Sequence, residues 1–188
     1  MDSLVMSISG FTGKNIKGAS VLSGLTGGAD KEAVVPVKSV EWAVNRNVTL
    51  DVGNGNNSDT GELTGGTLVV TKSVDGLTPA INTILFKPKK GRDITITYGT
   101  PKTDGTGLVI QRQITLSNAK VIDYQVSTDG NDEKGKVPLE KITIAFSSIK
   151  ASCARSGIDG KIGAEAINDI VEYNFSEGVL KAGTKIGK

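Results

Sequence analysis

The sequence contains no histidine and a single cysteine, Cys153, among its 188 residues. Without histidine the chain has no Ser-His-Asp or Cys-His nucleophile, no imidazole metal ligand and no imidazole general base. A thiol that has neither a histidine partner nor a second cysteine is typical of a packed or partly exposed residue rather than a nucleophile. We therefore expect no enzymatic activity, and we predict no catalytic residues, no cofactor and no metal site.

Aromatic residues and long apolar runs are also scarce. Four Phe, three Tyr and one Trp stand against 24 glycines, a composition typical of a turn-rich, mainly β protein. No segment approaches the roughly 20 apolar residues that cross a bilayer. The formal charge is +2 with no long basic cluster, which favours neither nucleic-acid binding nor membrane insertion.

The first ten residues carry Asp2 where a secretory signal would carry basic residues, and they hold no long apolar run. We therefore expect a protein that is cytoplasmic when it is made. Any export would need a route that does not read a signal peptide.

The clearest local signal is a helix that follows a strand over residues 67–72. Thr78 is predicted as its N-cap and Pro79 as its first helical residue, while Lys87 and Lys89 suit the negative end of the helix dipole. One apolar stripe has helical spacing and predicts the buried face: Leu77, Ala80, Ile81, Ile84 and Leu85.

Most of the remaining chain alternates between apolar and polar residues, as strands do. Strands are predicted over residues 3–9, 34–50, 93–98, 108–116, 120–126, 138–149 and 171–175, with a loop over residues 11–31, a turn at 117–118 and a short helix over 164–170. Trp42 is predicted to lie in the core, and Pro36 indicates an edge strand. The predicted fold is all-β: an antiparallel barrel or sandwich with one α-helix packed on its side, in a single domain over residues 1–188 whose part 157–188 is a less defined C-terminal extension.

Two short motifs resemble ligand loops but lack essential positions. The stretch from Gly10 to Lys14 lacks the spacing of a phosphate loop and is predicted to be a turn. Asp129, Asn131, Glu133 and Glu140 match ligand positions of a calcium loop, but Lys134 stands where the sharp turn requires glycine. The second segment is therefore predicted to be a solvated hairpin.

One polar, turn-prone segment stands between two strand signals and has almost nothing to bury, so it is predicted to be an exposed hairpin tip. It consists of Asp51, Val52, Gly53, Asn54, Gly55, Asn56, Asn57, Ser58, Asp59, Thr60, Gly61 and Glu62.

The order and spacing of these elements resemble a known family. The resemblance lies in Val-Glu-Trp-Ala at 40–43, a Gly/Asn loop, Leu-Val-Val-Thr-Lys at 68–72 before a helix that starts with proline, and the segments 113–121 and 140–149. Over residues 34–149 the chain resembles the haemolysin-coregulated protein (Hcp) family, the tube subunits of bacterial type VI secretion systems.

The resemblance implies a barrel-like subunit that forms hexameric rings, which stack into a tube ejected by a contractile sheath. It implies a spike protein at the tube tip and small effector proteins as partners, and secretion by the type VI system from the cytoplasm. Since stacking is a head-to-tail contact that can propagate, we hypothesise that the predicted tip, residues 51–62, makes the contact between rings.

Two alternatives are open. A phage or phage-like tail-tube subunit shares the architecture and would also form rings. A surface- or sugar-binding β-sandwich module would instead be a monomer or dimer with an exposed aromatic cluster.

Overall fold

The computed structural model describes residues 3–12, 32–46, 63–87, 91–101, 108–128, 137–156 and 162–183. Within these ranges the chain forms twelve strands and one helix: β1 (Ser3–Thr12), β2 (Glu32–Pro36), β3 (Ser39–Trp42), β4 (Asn45–Arg46), β5 (Leu63–Thr64), β6 (Leu68–Ser73), α1 (Thr78–Phe86), β7 (Arg92–Pro101), β8 (Leu108–Ser127), β9 (Leu139–Ala145), β10 (Ser148–Ser156), β11 (Ile162–Asn174) and β12 (Val179–Ala182). The prediction of a mainly β protein with one helix is confirmed.

All of the strand pairs are antiparallel, and two paths of paired strands diverge from β8. One path runs β8-β7-β1-β2, and a second runs β8-β9-β6-β3. The chain joins the two paths between β2 and β3, where Val37 N donates to Leu4 O at 2.9 Å and Lys38 N donates to Thr71 O at 2.8 Å. The result is a barrel-like body, from which β10, β11 and β12 extend as a sheet attached to β8.

Strand β8 is one strand of 20 residues, so the predicted turn at residues 117–118 is wrong. Its first half pairs with β7 and β10, and its second half pairs with β9. Asn118 lies at the junction with φ +51°, a left-handed conformation that asparagine tolerates, and the strand is redirected there without reversing. Gly91 makes room for this bend, since a Cβ there would lie 2.4 Å from the carbonyl carbon of Asn118.

The strong strand predicted over residues 138–149 is in fact two strands, β9 and β10. They are separated at Phe146 and Ser147, and both the backbone N–H and the hydroxyl of Ser147 donate to Ser117 O at 3.1 Å. At this corner the chain leaves β6 and the second half of β8, with which β9 pairs, and joins the first half of β8 and β11, with which β10 pairs. No glycine or proline marks the corner, which is why the sequence pattern did not show it.

The long strand predicted over residues 34–50 is likewise divided into β2, β3 and β4. Pro36 is at the end of β2, which is the terminal strand of its path, so the expected edge position is confirmed. Trp42 ends β3 and is 37% exposed, so its predicted core position is wrong. The strand ends before the next residues can cover the indole.

The helix carries the predicted buried face, with Leu77, Ala80, Ile81 and Ile84 buried and Leu85 partly buried. Its start differs from the prediction. Leu77 occupies the N-cap without a side-chain cap, and Thr78 is the first helical residue. The Thr78 hydroxyl instead donates to Glu140, while Asp75 Oδ1 accepts from the Leu77 N–H at 2.8 Å.

Two boundaries of weakly patterned segments also differ. Strand β1 extends to Thr12, so the first two residues of the predicted loop over residues 11–31 are strand; residues 13–31 lie outside the described part, and β2 begins at Glu32, two residues before the predicted strand. The predicted short helix over residues 164–170 is wrong, because β11 pairs there with β10, and the C-terminal end is ordered through β12. Long-range pairing overrides local preference at these positions.

The core lies between the barrel strands and the helix. Its fully buried apolar side chains include Met6, Ile8, Ile94, Leu116 and Ile144, which come from β1, β7, β8 and β9. The apolar faces of these strands and the apolar stripe of helix α1 therefore form one core.

Candidate functional site

The predicted hairpin tip, residues 51–62, lies outside the described residues, but the structure describes both chains that lead to it. Trp42 pairs with Leu68 in β3 and β6, and the same two chains continue as β4 and β5, in which Arg46 pairs with Leu63. This two-stranded extension is a sheet of its own, separate from the ten-stranded sheet. We call the segment 45–64 the arm; its base is an antiparallel hairpin.

Two glycines follow the arm directly, Gly65 and Gly66, and each lies beside a different neighbour. A Cβ on Gly66 would lie 2.0 Å from Ala43 O, so only glycine allows this approach of the two chains. A Cβ on Gly65 would be 3.5 Å from the ring of Phe175. Phe175 in turn stacks edge-on against Phe146 and Tyr173, with ring centroids 5.6 and 4.9 Å apart. The chain next to the arm therefore contacts an aromatic cluster formed by Tyr173 in β11, Phe175 just after β11 and Phe146 between β9 and β10.

A polar face crosses three neighbouring strands. In the ladder, Thr95 and Thr97 of β7 lie opposite Thr115 and Gln113 of β8, and these lie opposite Lys150 and Ser152 of β10. Gln113 Nε2 donates to Thr97 Oγ1 at 3.3 Å. The alternate residues of the same strands, such as Ile96 and Ile114, are buried in the core. The sheet thus has one apolar and one polar face, as the alternation predicts.

The ends of the sheet present unpaired edges and apolar side chains. In the ten-stranded sheet, β2, β3 and β12 each pair on one side only among the described strands, and β2 and β12 end the same path. Val171, Val179 and Leu180, on β11 and β12, are 45%, 48% and 60% exposed. Edge strands of this kind are templates for pairing with another chain. Sequence reasoning missed this surface, because the glycine-rich end of the chain predicted fraying; the only signal was the apolar pair at 179–180.

A buried charged cluster joins the helix to the barrel. Lys72 and Glu140 are directly opposite each other in β6 and β9, and both side chains are fully buried. The Lys72 ammonium donates to Glu140 Oε1, to Ser73 O at 2.8 Å and to Asp75 Oδ1 at 2.8 Å. All three of its donors are therefore engaged.

Glu140 accepts further bonds in the same cluster. The Thr78 hydroxyl donates to Glu140 Oε1 at 2.8 Å, and Tyr124 Oη donates to Oε2 at 2.7 Å. Burial, the hydrogen bond to Glu140 and the charge of that carboxylate raise the pKa of Tyr124 to about 12. The calcium-loop resemblance placed Glu140 with Asp129, Asn131 and Glu133; the last three lie outside the described residues, and Glu140 binds Lys72 instead.

The side chains that could take part in catalysis or metal binding lie apart from one another. Cys153 is exposed on β10, across the ladder from Arg112 and Asp169. In the described part of the chain, no group of three or more Asp, Glu or Cys side chains is placed to hold a metal ion. Helix α1 is too short to cross a membrane, and it is the sole helix of the described ranges.

Comparisons with known proteins agree with this architecture. The family model described as "Type VI secretion system effector, Hcp" matches residues 6–152. A search of curated proteins gives no match.

Several solved structures share the fold. A structure described as a type six secretion system protein is 15% identical, with a TM-score of 0.67, over 95% of this chain and 100% of its own. Hcp1 from Salmonella typhimurium is also 15% identical, with a TM-score of 0.61 over 95% of this chain and 98% of its own. A type VI secretion system effector from Yersinia pestis is 12% identical, with a TM-score of 0.53 over 91% of this chain and 97% of its own.

The match to the family model spans well over half of the chain, from β1 through most of β10, and therefore includes the barrel, the helix and the arm. The chain belongs to the Hcp family of type VI secretion system proteins.

Proposed function

We propose that this protein is the structural subunit of the inner tube of a type VI secretion system, and that it forms hexameric rings which stack into a tube. The observation that carries the proposal is the pair of free edges, β2 and β12, at opposite ends of one continuous ladder of strands. A contact between one edge of a subunit and a different edge of the next is heterologous, and such contacts close into rings when the rotation allows it.

The exposed apolar side chains support β12 as part of the lateral contact. Val179 and Leu180 lie on the free edge strand itself, and Val171 lies on the neighbouring strand. A monomer gains nothing from leaving such side chains in water, whereas a ring contact would bury them, at about 25 cal/mol for each Å² of apolar surface removed from water.

The polar face supports the carrying of effectors. Thr95, Gln113, Thr115 and Lys150 offer hydroxyl, amide and ammonium groups on a sheet whose other face is the core. Such a face can border a water-filled lumen or meet the polar surface of a small effector protein. The proposed partners are further copies of this chain, small effectors, the spike protein at the tube tip and the contractile sheath.

The test of ring formation is size-exclusion chromatography with light scattering, followed by negative-stain microscopy of the same fractions. We expect a mass of six subunits and ring-shaped particles. A monodisperse monomer at high concentration would refute the tube subunit, since the free edges would then be stable in water.

The arm is proposed to make the contact between rings. Its base extends from the barrel as an independent two-stranded sheet, and the tip, residues 51–62, has almost no side chains that could join a core. Replacing residues 52–61 by an Asn-Gly turn should therefore leave monomer stability and rings intact but abolish tubes and secretion.

A matched control is the same Asn-Gly replacement in the loop over residues 129–136, which connects β8 and β9 where Ser127 pairs with Leu139. This control should keep its tubes. Thermal melting, sedimentation and electron microscopy are compared on the same preparations, and secretion is measured in cells with an active type VI system. Tubes in the arm variant would assign stacking to another surface.

In the same proposal the protein has a structural role and catalyses no reaction. It is cytoplasmic before the type VI system secretes it. A phage or phage-like tail-tube subunit would form similar rings, but the family model that matches is that of a type VI secretion protein. A sugar- or surface-binding module would expose clustered aromatics, whereas Trp42 and Phe86, the exposed large aromatics of the described chain, lie on separate elements, β3 and α1.

A further inference from the structure

One end of the barrel contains a cleft of about 550 Å³ between β1, β3, β7 and β8. Its position follows from the ladder, because Leu4 pairs with Tyr98 and Tyr98 pairs with Arg112 near the same end of these strands. The volume is within the range of small-molecule sites, about 300–1,000 Å³. We call this space the mouth cleft.

The mouth cleft is apolar in its depth. Ile96 and Ile114, which are paired across β7 and β8, are buried, while Leu4 and Val40 are half-buried and face the same space. At the other end of β1 and β7, Ile8 and Ile94 are almost fully buried, and a second cleft of about 710 Å³ is lined there by Ser9, Phe11 and Asp93. The mouth cleft differs in that its apolar side chains Leu4 and Val40 are only half-buried.

The rim of the mouth cleft combines the indole of Trp42 with the exposed guanidinium of Arg112. Trp42 is 37% exposed at this rim. Its Nε1 lies close to Gly66, since a Cβ on that glycine would be 3.5 Å from Nε1. Gln111 is engaged, since its amide donates to Thr100 Oγ1 at 2.7 Å. Arg112 is exposed at the rim and makes no hydrogen bond or ion pair with any residue of the described ranges.

We propose that the mouth cleft binds a small amphiphilic carboxylate, with the alkyl chain between Leu4, Val40 and Ile114 and the carboxylate on Arg112. The apolar depth selects an alkyl chain, and the planar guanidinium can bind a carboxylate through two parallel hydrogen bonds. The indole of Trp42 covers the chain where it leaves the cleft. The site is formed by residues of β1, β3, β7 and β8 of one subunit.

Trp42 is the only tryptophan of the chain, so its fluorescence reports on the mouth cleft without labelling. Octanoate, added below its micelle concentration to the full-length protein, should shift Trp42 emission to the blue with a saturable dependence on concentration. Calorimetry on the same samples gives the dissociation constant. Octylammonium, which has the same chain and the opposite charge, should bind at least tenfold more weakly.

Arg112→Gln should weaken octanoate binding about tenfold or more, because the variant loses charge-assisted hydrogen bonds. Arg92→Gln is the matched control. Arg92 is exposed on β7 toward the opposite end of the barrel, where it lies over the Phe11 ring, and its loss should leave octanoate binding unchanged. Val40→Phe, which fills the cleft without removing charge, should also abolish binding.

Several results would overturn the proposal: no saturable emission change with octanoate, equal binding of octylammonium, or equal weakening by Arg92→Gln and Arg112→Gln. A blue shift that depends on protein concentration alone would assign the cleft to a second copy of the chain and would also overturn it. Light scattering on the same samples keeps the outcome separate from ring assembly.

Discussion

The interior of this protein contains two regions that are held together by different forces. Under the middle of helix α1, Ile81 and Ile84 pack with Met6 and Ile8 in a core of apolar side chains. At the start of the same helix, Lys72 and Glu140 are equally buried but charged, and Thr78 and Tyr124 donate hydrogen bonds to Glu140. The first region tolerates imperfect geometry, whereas the second stabilises the fold only while every charge keeps its partners.

The charged cluster is also the more specific of the two. Lys72 occupies an inward position of β6, in phase with Leu68 and Val70, so an apolar side chain would fit the alternation there. The cluster joins β6, β9, β8 and the helix N-terminus at one point. We infer that it fixes how α1 is placed on the barrel, while the apolar core supplies most of the burial energy.

The largest effect is therefore expected from Glu140→Ala, which leaves the Lys72 ammonium buried without its main partner. Loss of one member of a buried pair costs about 3 to 5 kcal/mol. Glu140→Gln should lose less, since the amide oxygen still accepts from Tyr124 and Thr78. Urea unfolding measures both values.

The control for this comparison is Glu177→Ala. Glu177 forms an exposed ion pair with Lys181 at 3.0 Å, and such pairs contribute about 0 to 1 kcal/mol. If Glu140→Ala were no more destabilising than Glu177→Ala, the buried cluster would not hold the helix.

The second effect concerns the apolar region. Ile81→Ala and Ile84→Ala should each destabilise by about 2 to 5 kcal/mol, because both side chains are nearly fully buried against the barrel. The control is Phe86→Ala at the exposed end of the same helix, where the side chain is 77% exposed and the loss should be small. Values below about 0.5 kcal/mol for both isoleucines would contradict the packing of this helix face.

These two regions also differ in how far the sequence predicts them. The helical stripe and the alternation of β1, β6, β7 and β9 predict the apolar core, because burial of one face leaves a periodic pattern. The charged cluster leaves no periodic pattern in the sequence. Lys72 is near the end of one predicted strand, and Glu140 follows a polar loop. Only the pairing of β6 with β9 shows that the two residues lie opposite each other. The spacing of acidic residues before Glu140 resembles a calcium loop, and the segment was predicted to be a solvated hairpin, which gave no sign of the pairing with Lys72.

The same reasoning explains the errors in the strands. Ser117 and Asn118 have the composition of a turn but only bend β8, so one strand was predicted as two; no glycine or proline marks the corner at Ser147, so two strands were predicted as one. For the assembly surfaces, the base of the arm follows from two strand signals around a polar segment, whereas the edge at β12 depends on pairing with β11. Pairing between distant segments is the information that a single sequence does not carry in its local pattern.

The third effect is smaller and depends on pH. Tyr124→Phe removes one hydrogen bond to the buried carboxylate, and bonds to charged groups contribute about 1.5 to 3 kcal/mol. The folded pKa of Tyr124, about 12, is above its ordinary value of 10.0, so the fold favours the neutral phenol. This contribution is complete below pH 10 and is lost as the pH rises toward 12.

The measurement is the free energy of unfolding of the protein and of Tyr124→Phe across this pH range. The difference between them should be constant below pH 10 and shrink above it; subtraction removes the titration of the other tyrosines and the lysines. A difference that stays constant up to pH 12 would show that Glu140 does not control the ionisation of Tyr124.

The smallest effect is expected at Cys153, which tests the outer surface against both interior regions. Its side chain is exposed on β10, and serine has a similar size, so Cys153→Ser should change stability by no more than about 0.5 kcal/mol. Ile149→Ala on the same strand is the matched control, since Ile149 is buried and its loss should lower the free energy of unfolding several times more.

Rings, tubes and secretion should be unchanged by Cys153→Ser, because no thiol chemistry enters the proposed assembly. Loss of rings with normal melting would instead place Cys153 in a subunit contact, and loss of secretion with normal rings would give the thiol a role after assembly.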